Sequence, residues 1–266
     1  MPDNQREKTQ NEEIGVYSDL FSAKTKIEGQ DGGVVSMLLV RGFEEGLFDA
    51  AIVVRRGVGY SAEAVVATNA SEVLAAKGTK YLKVNVTKKL RELVSQGKKR
   101  IAIVCTPCEA KAARKIQQTL KNDVEITIIG LFCFEAFNNA KIKEEAKKLL
   151  GVDLDRAQKT QVRQGKFTAF VDGKEYICKV KDLDTAAEKV CSYCDDFTAQ
   201  FADVSVGSVG SKKGYSTVIV RSKVGDKLIK TLEATKEVVD KEEIARLSKF
   251  KRERAEKSLA AVNRAK

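Results

Sequence analysis

The segment RIAIVCTPCEAKAARKIQQTLKNDVEITIIGLFC, residues 100–133, decides the fold class of this chain of 266 residues. Its two ends, Arg100–Cys105 and Val124–Cys133, are apolar runs without alternation, which is typical of strands covered on both faces. The stretch between them, Glu109–Leu120, has the apolar spacing of an amphipathic helix. A buried strand, a helix and a second buried strand make a parallel unit, so the sequence predicts an α/β fold.

The residues before this segment continue the pattern. Asp31-Gly32-Gly33 precedes a helical run that begins at Val34, and Asp31 is a residue type expected at a helix N-cap. Two strands are predicted at Ala50–Arg55 and Ala62–Thr68 because both runs are apolar or β-branched and glycines separate them. Short helices are predicted at Ser71–Lys77 and Leu90–Gln96.

The pattern changes after a Lys/Glu-rich helix predicted at Ala140–Leu150. Asp172-Gly173 is a two-residue hairpin signal between apolar runs, and further strands are predicted at Val204–Val209 and Tyr215–Ser222. We therefore expect a smaller α+β part after the α/β part, followed by one or two exposed helices. The expected division is a flexible N terminus at 1–13, an α/β domain at 14–150, an α+β domain with a CxxC pair and a Gly/Ser loop at 151–233, and charged C-terminal helices at 234–266.

Composition excludes several kinds of chemistry. The chain is 43% apolar and 32% charged, as in globular proteins, and no apolar run approaches the length of a membrane span. It contains no histidine, which excludes Ser-His-Asp and Cys-His nucleophiles, HExxH zinc sites and histidine-ligated haem. Acid, base or metal chemistry therefore falls to Cys, Asp, Glu, Lys, Tyr or a bound cofactor.

Positive charge is concentrated at the C terminus. From Arg246 to Lys266, eight basic residues stand against two acidic ones, which leaves +5 of the total net charge of +11 for the other residues. A basic C-terminal helix is more typical of a solvated face or a docking surface for an acidic partner than of a nucleic-acid reader. We expect neither nucleic acid nor a membrane among the partners.

The six cysteines indicate metal or redox use. The first 13 residues are polar and lack an export signal, so we expect a cytoplasmic location, where disulfide frameworks are uncommon. Cys105 and Cys108 form a CxxC pair between a strand and a helix, as in thiol-disulfide proteins, although the later proline of the thioredoxin fold is missing. Together with Cys191 and Cys194 they also suit zinc or an iron-sulfur cluster.

Glycine-bearing segments are the candidate cofactor sites. Gly57-Val58-Gly59-Tyr60-Ser61-Ala62 matches a dinucleotide fingerprint, but a strand rather than the required helix is predicted after it. Three other segments offer backbone N–H groups beside small side chains, which suits a phosphate or a flavin, although each is also typical of a plain turn. They are Asp31-Gly32-Gly33, Gly78-Thr79-Lys80-Tyr81 and Gly207-Ser208-Val209-Gly210-Ser211.

Six short segments, which span residues 30–210 and keep one order, carry a resemblance to a known family. They are Gln30-Asp31-Gly32-Gly33, Gly78-Thr79-Lys80-Tyr81, Pro107-Cys108, Gly130-Leu131-Phe132-Cys133-Phe134-Glu135, Cys191-Ser192-Tyr193-Cys194-Asp195, and Ala202-Asp203-Val204-Ser205-Val206-Gly207-Ser208-Val209-Gly210. Together they resemble the β subunits of coenzyme F420 hydrogenases and dehydrogenases. The resemblance implies one FAD, one [4Fe-4S] cluster and coenzyme F420 as substrate, in a methanogenesis-type metabolism.

The resemblance also implies the roles of the cysteines. It gives Cys108, Cys133, Cys191 and Cys194 as cluster ligands, and it leaves Cys105 and Cys178 outside the set. From the residues around it, Cys178 is interpreted as a small buried hydrophobic side chain. Larger relatives carry a further ferredoxin-like CxxCxxCxxxCP module that this chain lacks, so a single cluster is expected.

The implied activity is exchange of hydride with F420 through FAD, with single electrons passed by the cluster and no catalytic side chain assigned. Lys80 is a candidate for binding the acidic groups of F420 or the FAD pyrophosphate. Hydrogenase-type large and small subunits are the implied partners, with dihydrogen, formate or another donor as the electron source. A zinc-stabilised interaction module and a CxxC thiol-disulfide protein are the alternatives.

The segment Lys249–Lys266 is expected to dock onto a partner subunit. Its apolar residues Phe250, Leu259 and Val262 are too sparse for full burial against the chain itself. On that reasoning, truncation after Leu247 would weaken assembly and leave both cofactors bound.

Overall fold

The structure is a computed structural model that describes residues 8–120 and 123–264. Its centre is an eight-stranded sheet of order β13-β3-β12-β11-β7-β6-β4-β5. Neighbours among β4, β6, β7 and β11 pair in parallel, and the remaining neighbours pair antiparallel. The strands are β3 (Asp19–Lys24), β4 (Ala50–Arg56), β5 (Ala62–Ala67), β6 (Arg100–Cys105), β7 (Glu125–Leu131), β11 (Val204–Gly207), β12 (Ser216–Val220) and β13 (Thr235–Glu237).

Helices cover both faces of this sheet, which confirms the predicted α/β unit. On β6, Ala102 and Val104 join one apolar cluster while Ile101 and Ile103 join the other, so successive residues are buried on opposite faces. The first face carries α1 (Val34–Glu44), α2 (Ala70–Ala75) and α6 (Lys223–Ile229), and the second carries α3 (Val86–Ser95) and α4 (Pro107–Thr119).

A second, antiparallel sheet has the order β10-β9-β8 and packs against α5 (Asn139–Leu150). Its strands are β8 (Ala157–Arg163), β9 (Lys166–Val171) and β10 (Lys174–Lys179). Asp172 and Gly173 join β9 to β10 with φ angles of 50° and 75°, so the hairpin predicted from this dipeptide is confirmed.

The main sheet takes strands from both sides of the predicted boundary at residue 150, since β11, β12 and β13 follow the small sheet in sequence. The division at residues 150 and 233 stays a prediction as a statement about domains. At the N terminus, β1 (Thr9–Asn11) and β2 (Gly15–Tyr17) form a two-stranded hairpin. The first seven residues of the expected flexible N terminus lie outside the described residues.

Two helix starts differ from the sequence prediction. Gly33, with a φ of 70°, occupies the N-cap of α1, and no side chain caps that helix. Asp31 was the predicted cap, but its carboxylate faces Arg163 instead, 3.3 Å away. Helix α2 was predicted to begin at Ser71 but begins at Ala70, and its N-cap is Asn69, whose side chain accepts a hydrogen bond from the Glu72 N–H.

The C-terminal segment is a single helix, α7 (Lys241–Arg264), and the prediction that it is exposed is wrong for its first half. Ile244, Ser248, Lys251 and Ala255 are buried at helical spacing on one face. Two of these four residues are polar, so the buried face of the helix cannot be recognised from the spacing of apolar residues alone. Among the described residues, no helix combines the length and hydropathy needed to cross a membrane.

Candidate cofactor sites at the ends of the parallel strands

Two cysteines lie where neighbouring parallel strands end. Cys108 follows β6 in the first turn of α4, and Cys133 lies two residues after β7. The two strands pair in register from Arg100–Glu125 to Cys105–Gly130. Their carboxyl ends therefore share one edge of the sheet, which is where open α/β sheets bind ligands.

The second CxxC pair reaches the same edge from the opposite side. Cys191 lies in a 3₁₀ turn, Lys189–Tyr193, and its Sγ accepts a hydrogen bond from the Ala136 N–H at 3.5 Å. The backbone holds the two segments together, because the Glu188 N–H donates to the Ala136 carbonyl at 2.9 Å. The Cys133 N–H donates to the Phe197 carbonyl at 3.0 Å, beyond the second cysteine of the pair.

The four thiols predicted as ligands are close enough to affect one another's ionisation. Burial raises the pKa of Cys133 to about 12, with smaller raising contributions from Cys191, Cys108 and Cys194 and a lowering contribution from Lys251. Burial also raises the pKa of Cys191, with smaller raising contributions from Cys108 and Cys194. Together the four form a cysteine site contributed by three separate segments.

The other two cysteines have different surroundings. Cys105 is enclosed in the apolar core beneath α4, and burial raises its pKa well above the usual range of a thiol. A thiol-disulfide enzyme needs the opposite shift, so this environment does not favour that alternative. Cys178 lies on β10 opposite Phe167 and packs against the core of the small sheet.

In the part of the chain that the structure describes, no three Cys, Asp or Glu side chains converge closely enough to hold one metal ion. A structural zinc ion binds each thiolate at about 2.3 Å, which requires the sulfurs to converge around one point. No preformed zinc site is present among these residues.

Helix α7 covers the cysteine site with basic side chains. The Nζ of Lys251 donates to the Cys133 carbonyl at 2.5 Å. Arg254 donates to the carbonyls of Phe134 and Cys191 at 3.0 and 3.2 Å, and it pairs with Glu135 at 2.9 Å. This helix therefore fixes both loops that carry ligand candidates.

Lys83 lies on the opposite side of the site, after the Gly78–Tyr81 segment. Its Nζ is 3.4 Å from the Cys108 Sγ and 3.4 Å from the Glu109 carboxylate. Burial lowers the pKa of Lys83, but Cys108 and Glu109 outweigh it, so the pKa is raised overall. The amine is therefore held as a cation beside Cys108.

A second group of contacts joins the three glycine-bearing segments. Arg163, at the end of β8, is 3.3 Å from the Asp31 carboxylate and donates to the Ser211 carbonyl at 3.3 Å. The Tyr81 hydroxyl accepts a hydrogen bond from the Val162 N–H at 2.9 Å. Burial raises the pKa of Asp31 against the lowering effect of Arg163. We call this convergence of Asp31, Tyr81, Arg163 and Ser211 the glycine-segment junction.

The glycines in these segments are required for different reasons. A Cβ at Gly32 would lie 2.2 Å from the Ala23 carbonyl oxygen, and one at Gly33 would lie 2.0 Å from the Ile27 oxygen. Both therefore allow close backbone packing. A Cβ at Gly78 would meet nothing within 4 Å, but its φ of 91° favours glycine.

The side chain of Lys80 points back toward the C-terminal end of α2, which precedes it in the chain. Its Nζ donates to the carbonyls of Ala76, Lys77 and Gly78, with distances of 3.1 and 2.8 Å to the latter two. Burial, together with the charge of Arg56, lowers the pKa of Lys80 to about 8. The amine thus caps α2, and its predicted role toward a cofactor stays a prediction, as does that of the exposed Thr79.

The Gly207–Ser211 loop follows β11 at the same sheet edge as the cysteines. The Thr217 hydroxyl donates to the Val209 carbonyl at 2.6 Å, and the Ser211 N–H is 3.4 Å from the Ser208 carbonyl. A Cβ at Gly207 would overlap the ring of Phe132 at 2.1 Å, so this glycine brings the loop against the segment that leads to Cys133. The Gly210 N–H donates to Glu243 of α7 at 2.9 Å.

A short backbone bridge connects the cysteine site to the glycine-segment junction. The Phe137 N–H donates to the Tyr81 carbonyl at 2.8 Å, and the Lys83 N–H donates to the Phe137 carbonyl at 3.2 Å. On the other side, the Asn138 N–H donates to the Ala186 carbonyl at 2.9 Å. The loop after Cys133 therefore lies between the two segments that lead to the candidate sites.

The sequence analysis missed Lys83, Arg163, Lys251 and Arg254. Arg163 lies on an edge of the small sheet, and the two α7 residues belong to a charge run that is typical of a solvated face. No local spacing marks these residues, since each contacts a candidate segment at least 25 residues away in sequence.

Comparison with known proteins shows the family to which the chain is similar. The N-terminal and C-terminal models of the coenzyme F420 hydrogenase/dehydrogenase beta subunit match residues 20–91 and 98–245. A chain of the F420-reducing [NiFe] hydrogenase complex from Methanosarcina barkeri, solved as a xenon derivative, matches with a TM-score of 0.89 and 26% identity, covering 95% of this chain and 94% of that one.

Three relatives show how the chain compares in length. The coenzyme F420-dependent sulfite reductase of Methanocaldococcus jannaschii is 34% identical over 91% of this chain, which spans 41% of that protein. One of the subunits of the F(420)H(2) dehydrogenase of Methanosarcina mazei is 34% identical over 83% of this chain, which spans 64% of that protein. The coenzyme F420 hydrogenase subunit beta of Methanothermobacter thermautotrophicus is 31% identical over 93% of this chain and 96% of its own length.

Proposed function

The chain belongs to the coenzyme F420 hydrogenase/dehydrogenase beta subunit family, and on this basis we propose that it exchanges hydride with coenzyme F420 through FAD and passes single electrons through one [4Fe-4S] cluster. When bound, FAD supplies the exchange between hydride and single electrons, and the cluster supplies one-electron transfer. The protein's own contribution is to hold, enclose and order these groups.

The observation that carries the proposal is that backbone and side-chain contacts bring the segments of four cysteines to one edge of the main sheet. Cys108, Cys133, Cys191 and Cys194 are proposed as the cluster ligands, and a cubane cluster takes four thiolates. Two features support the assignment: the mutual influence of the thiols on the pKa of Cys133, and backbone and side-chain donors that fix both loops.

The glycine-segment junction is proposed as the FAD site. Its Asp31, Tyr81, Arg163 and Ser211 come from three glycine-bearing segments and from β8, and Arg163 supplies a cation at the meeting point. A flavin dinucleotide carries a pyrophosphate, which suits backbone N–H groups near such a cation. The Gly207–Ser211 loop places the junction beside β11, the strand next to β7.

The backbone bridge supports an arrangement in series. Tyr81 of the junction and Ala136, which donates to the Cys191 Sγ, lie on either side of the Phe137 backbone pairing. The residues that would hold FAD and the cluster are therefore joined by the Phe137 backbone and its hydrogen bonds.

We further propose that the chain works inside a hetero-oligomer with hydrogenase-type large and small subunits, which supply electrons from dihydrogen. Support comes from the structural match to a chain of a complex. The cytoplasmic location expected from the polar first 13 residues stays a prediction.

The test uses the full chain loaded anaerobically with FAD, iron and sulfide. With reduced F420 and an artificial one-electron acceptor, turnover should appear and should depend on FAD. NADH in place of reduced F420 should give little turnover, because Gly57–Ala62 forms the turn of the β4–β5 hairpin and not a nucleotide-binding loop. Comparable rates with NADH, or turnover without bound FAD, would contradict the proposal.

A further inference from the structure

Lys251 is among the most deeply buried side chains of the protein, with 1% of its surface exposed. Its Nζ donates to the Cys133 carbonyl at 2.5 Å. Among the described residues, no carboxylate lies within ion-pair distance of this amine. Asp196 is an acidic group whose pKa Lys251 lowers, against the raising effect of burial, and one of its oxygens lacks a hydrogen-bond partner in the described structure.

The other two cations at the cysteine site have carboxylates of their own. Lys83 pairs with Glu109 at 3.4 Å, and Arg254 pairs with Glu135 at 2.9 Å. The positive charge of each is therefore largely offset locally. Lys251 differs from them, because no carboxylate among the described residues forms an ion pair with it and its amine donates to the Cys133 carbonyl instead.

A buried ammonium with no opposite charge costs several kcal/mol. The carbonyl that holds the amine belongs to Cys133, one of the four residues of the cysteine site, so the thiolates of this site are the groups placed to supply that charge. A cluster held by four thiolates is an anion, and its net charge and hydrogen bonding set its reduction potential.

We propose that Lys251 is the buried counter-charge of the cysteine site and that it raises the reduction potential of the cluster bound there. A fixed positive charge stabilises the reduced, more negative state of a nearby centre more than the oxidised state. Helix α7 thus acts on the electron-transfer site through one enclosed side chain. This inference rests on the proposed [4Fe-4S] assignment.

The test compares Lys251→Met, Lys251→Arg and Lys249→Met in the full chain, reconstituted anaerobically with iron and sulfide. Lys249 is exposed on the same helix and serves as the matched control. The midpoint potential is measured by a redox titration followed by electron paramagnetic resonance. Lys251→Met should make the midpoint potential more negative by at least about 59 mV. For a one-electron couple this shift corresponds to a tenfold change in the ratio of reduced to oxidised cluster.

The arginine and control variants should keep the wild-type midpoint. A wild-type midpoint in Lys251→Met, with iron content intact, would overturn this inference and leave the proposed function standing. A wild-type chain that takes up no cluster would overturn both.

A second measurement needs no cluster. In the iron-free protein, Lys251→Met removes a buried charge that has no ion-pair partner among the described residues, at the cost of one hydrogen bond, so its urea midpoint should equal or exceed that of the wild type. A lower midpoint would mean that Lys251 serves only to hold the Cys133 loop, and it would overturn the counter-charge role.

Discussion

Individual cysteines in this protein differ by what surrounds them rather than by their motifs. Cys105 and Cys108 share one CxxC pair, yet the first is enclosed in the core while the second is exposed at the sheet edge. The position of each residue in the fold explains this difference, because Cys105 is the last residue of β6 and Cys108 lies in the first turn of α4. Proximity in sequence therefore does not make the two a functional pair.

Serine substitutions test this distinction. Cys191→Ser or Cys133→Ser should remove most of the cluster absorbance at about 400 nm, because each deletes one of four thiolate ligands. Cys178→Ser is the matched control and should keep it, since that side chain packs in the small sheet. A cluster that survives Cys191→Ser and is lost in Cys178→Ser would show that the ligand set is wrong.

Lys80 provides a prediction for pH dependence. Burial lowers its folded-state pKa to about 8, whereas an unfolded lysine titrates near 10.4. The unfolded chain therefore binds more protons between these values, and stability rises with pH across that window.

The stability difference between the wild type and Lys80→Met should accordingly grow in favour of the wild type by about 2 kcal/mol from pH 7 to pH 10. Urea unfolding at both pH values measures it. The exposed Lys77→Met is the control and should show the same pH trend as the wild type. A difference that is independent of pH would contradict the assigned environment of Lys80.

Among the helices and strands, α7 connects both candidate sites to the C terminus. Lys251 and Arg254 hold the cysteine loops, and Glu243 accepts a hydrogen bond from the Gly210 N–H. Docking of Lys249–Lys266 onto a partner stays a prediction for the exposed face and the last turns alone, because Lys251 and Ala255 are buried against the chain itself.

The structure thereby changes the expected result of truncation after Leu247. Removal of the rest of α7 should cause the loss of most of the bound iron. The truncation removes Lys251 and Arg254, the side chains that hold the loops after Cys133 and at Cys191. Truncation after Ser258 keeps those side chains and should keep the iron. Iron and sulfide analysis of the two purified proteins checks this, and equal iron content in both would disprove it.

Across the molecule as a whole, the candidate sites depend on the association of two sheets. The main sheet positions Cys108, Cys133 and the Gly207–Ser211 loop, and the small sheet contributes Arg163 to the glycine-segment junction. Neither sheet alone assembles the junction.

Arg163→Gln tests this dependence. Loss of the guanidinium contacts to Asp31 and the Ser211 carbonyl should weaken FAD binding about tenfold, or about 1.4 kcal/mol, and leave iron content unchanged. Arg156→Gln removes an exposed ion pair to Asp172 on the same small sheet and is the matched control. Titration of the flavin-free proteins with FAD measures both, and equal dissociation constants would argue against the junction as the flavin site.

Local signals in the sequence were sufficient to predict the parallel unit and the small-sheet hairpin, whereas the ligand set of four cysteines came from the resemblance and stays a prediction. Apolar runs without alternation at residues 100–105 and 124–133 are typical of buried parallel strands and are compatible with few other folds. Asp172-Gly173 favours its hairpin turn because both residues adopt a positive φ. These signals are encoded in neighbouring residues, so they can be interpreted without knowledge of the packing.

The charged side chains that serve the sites, in contrast, are selected by packing between distant segments. Asp31 faces Arg163 instead of capping α1, Lys80 caps α2, and Lys251 is buried although it belongs to a basic run. Each outcome depends on contacts that form only in the folded chain, where packing sets the electrostatic environment. A sequence pattern records a residue's charge but not the dielectric or the partners around it.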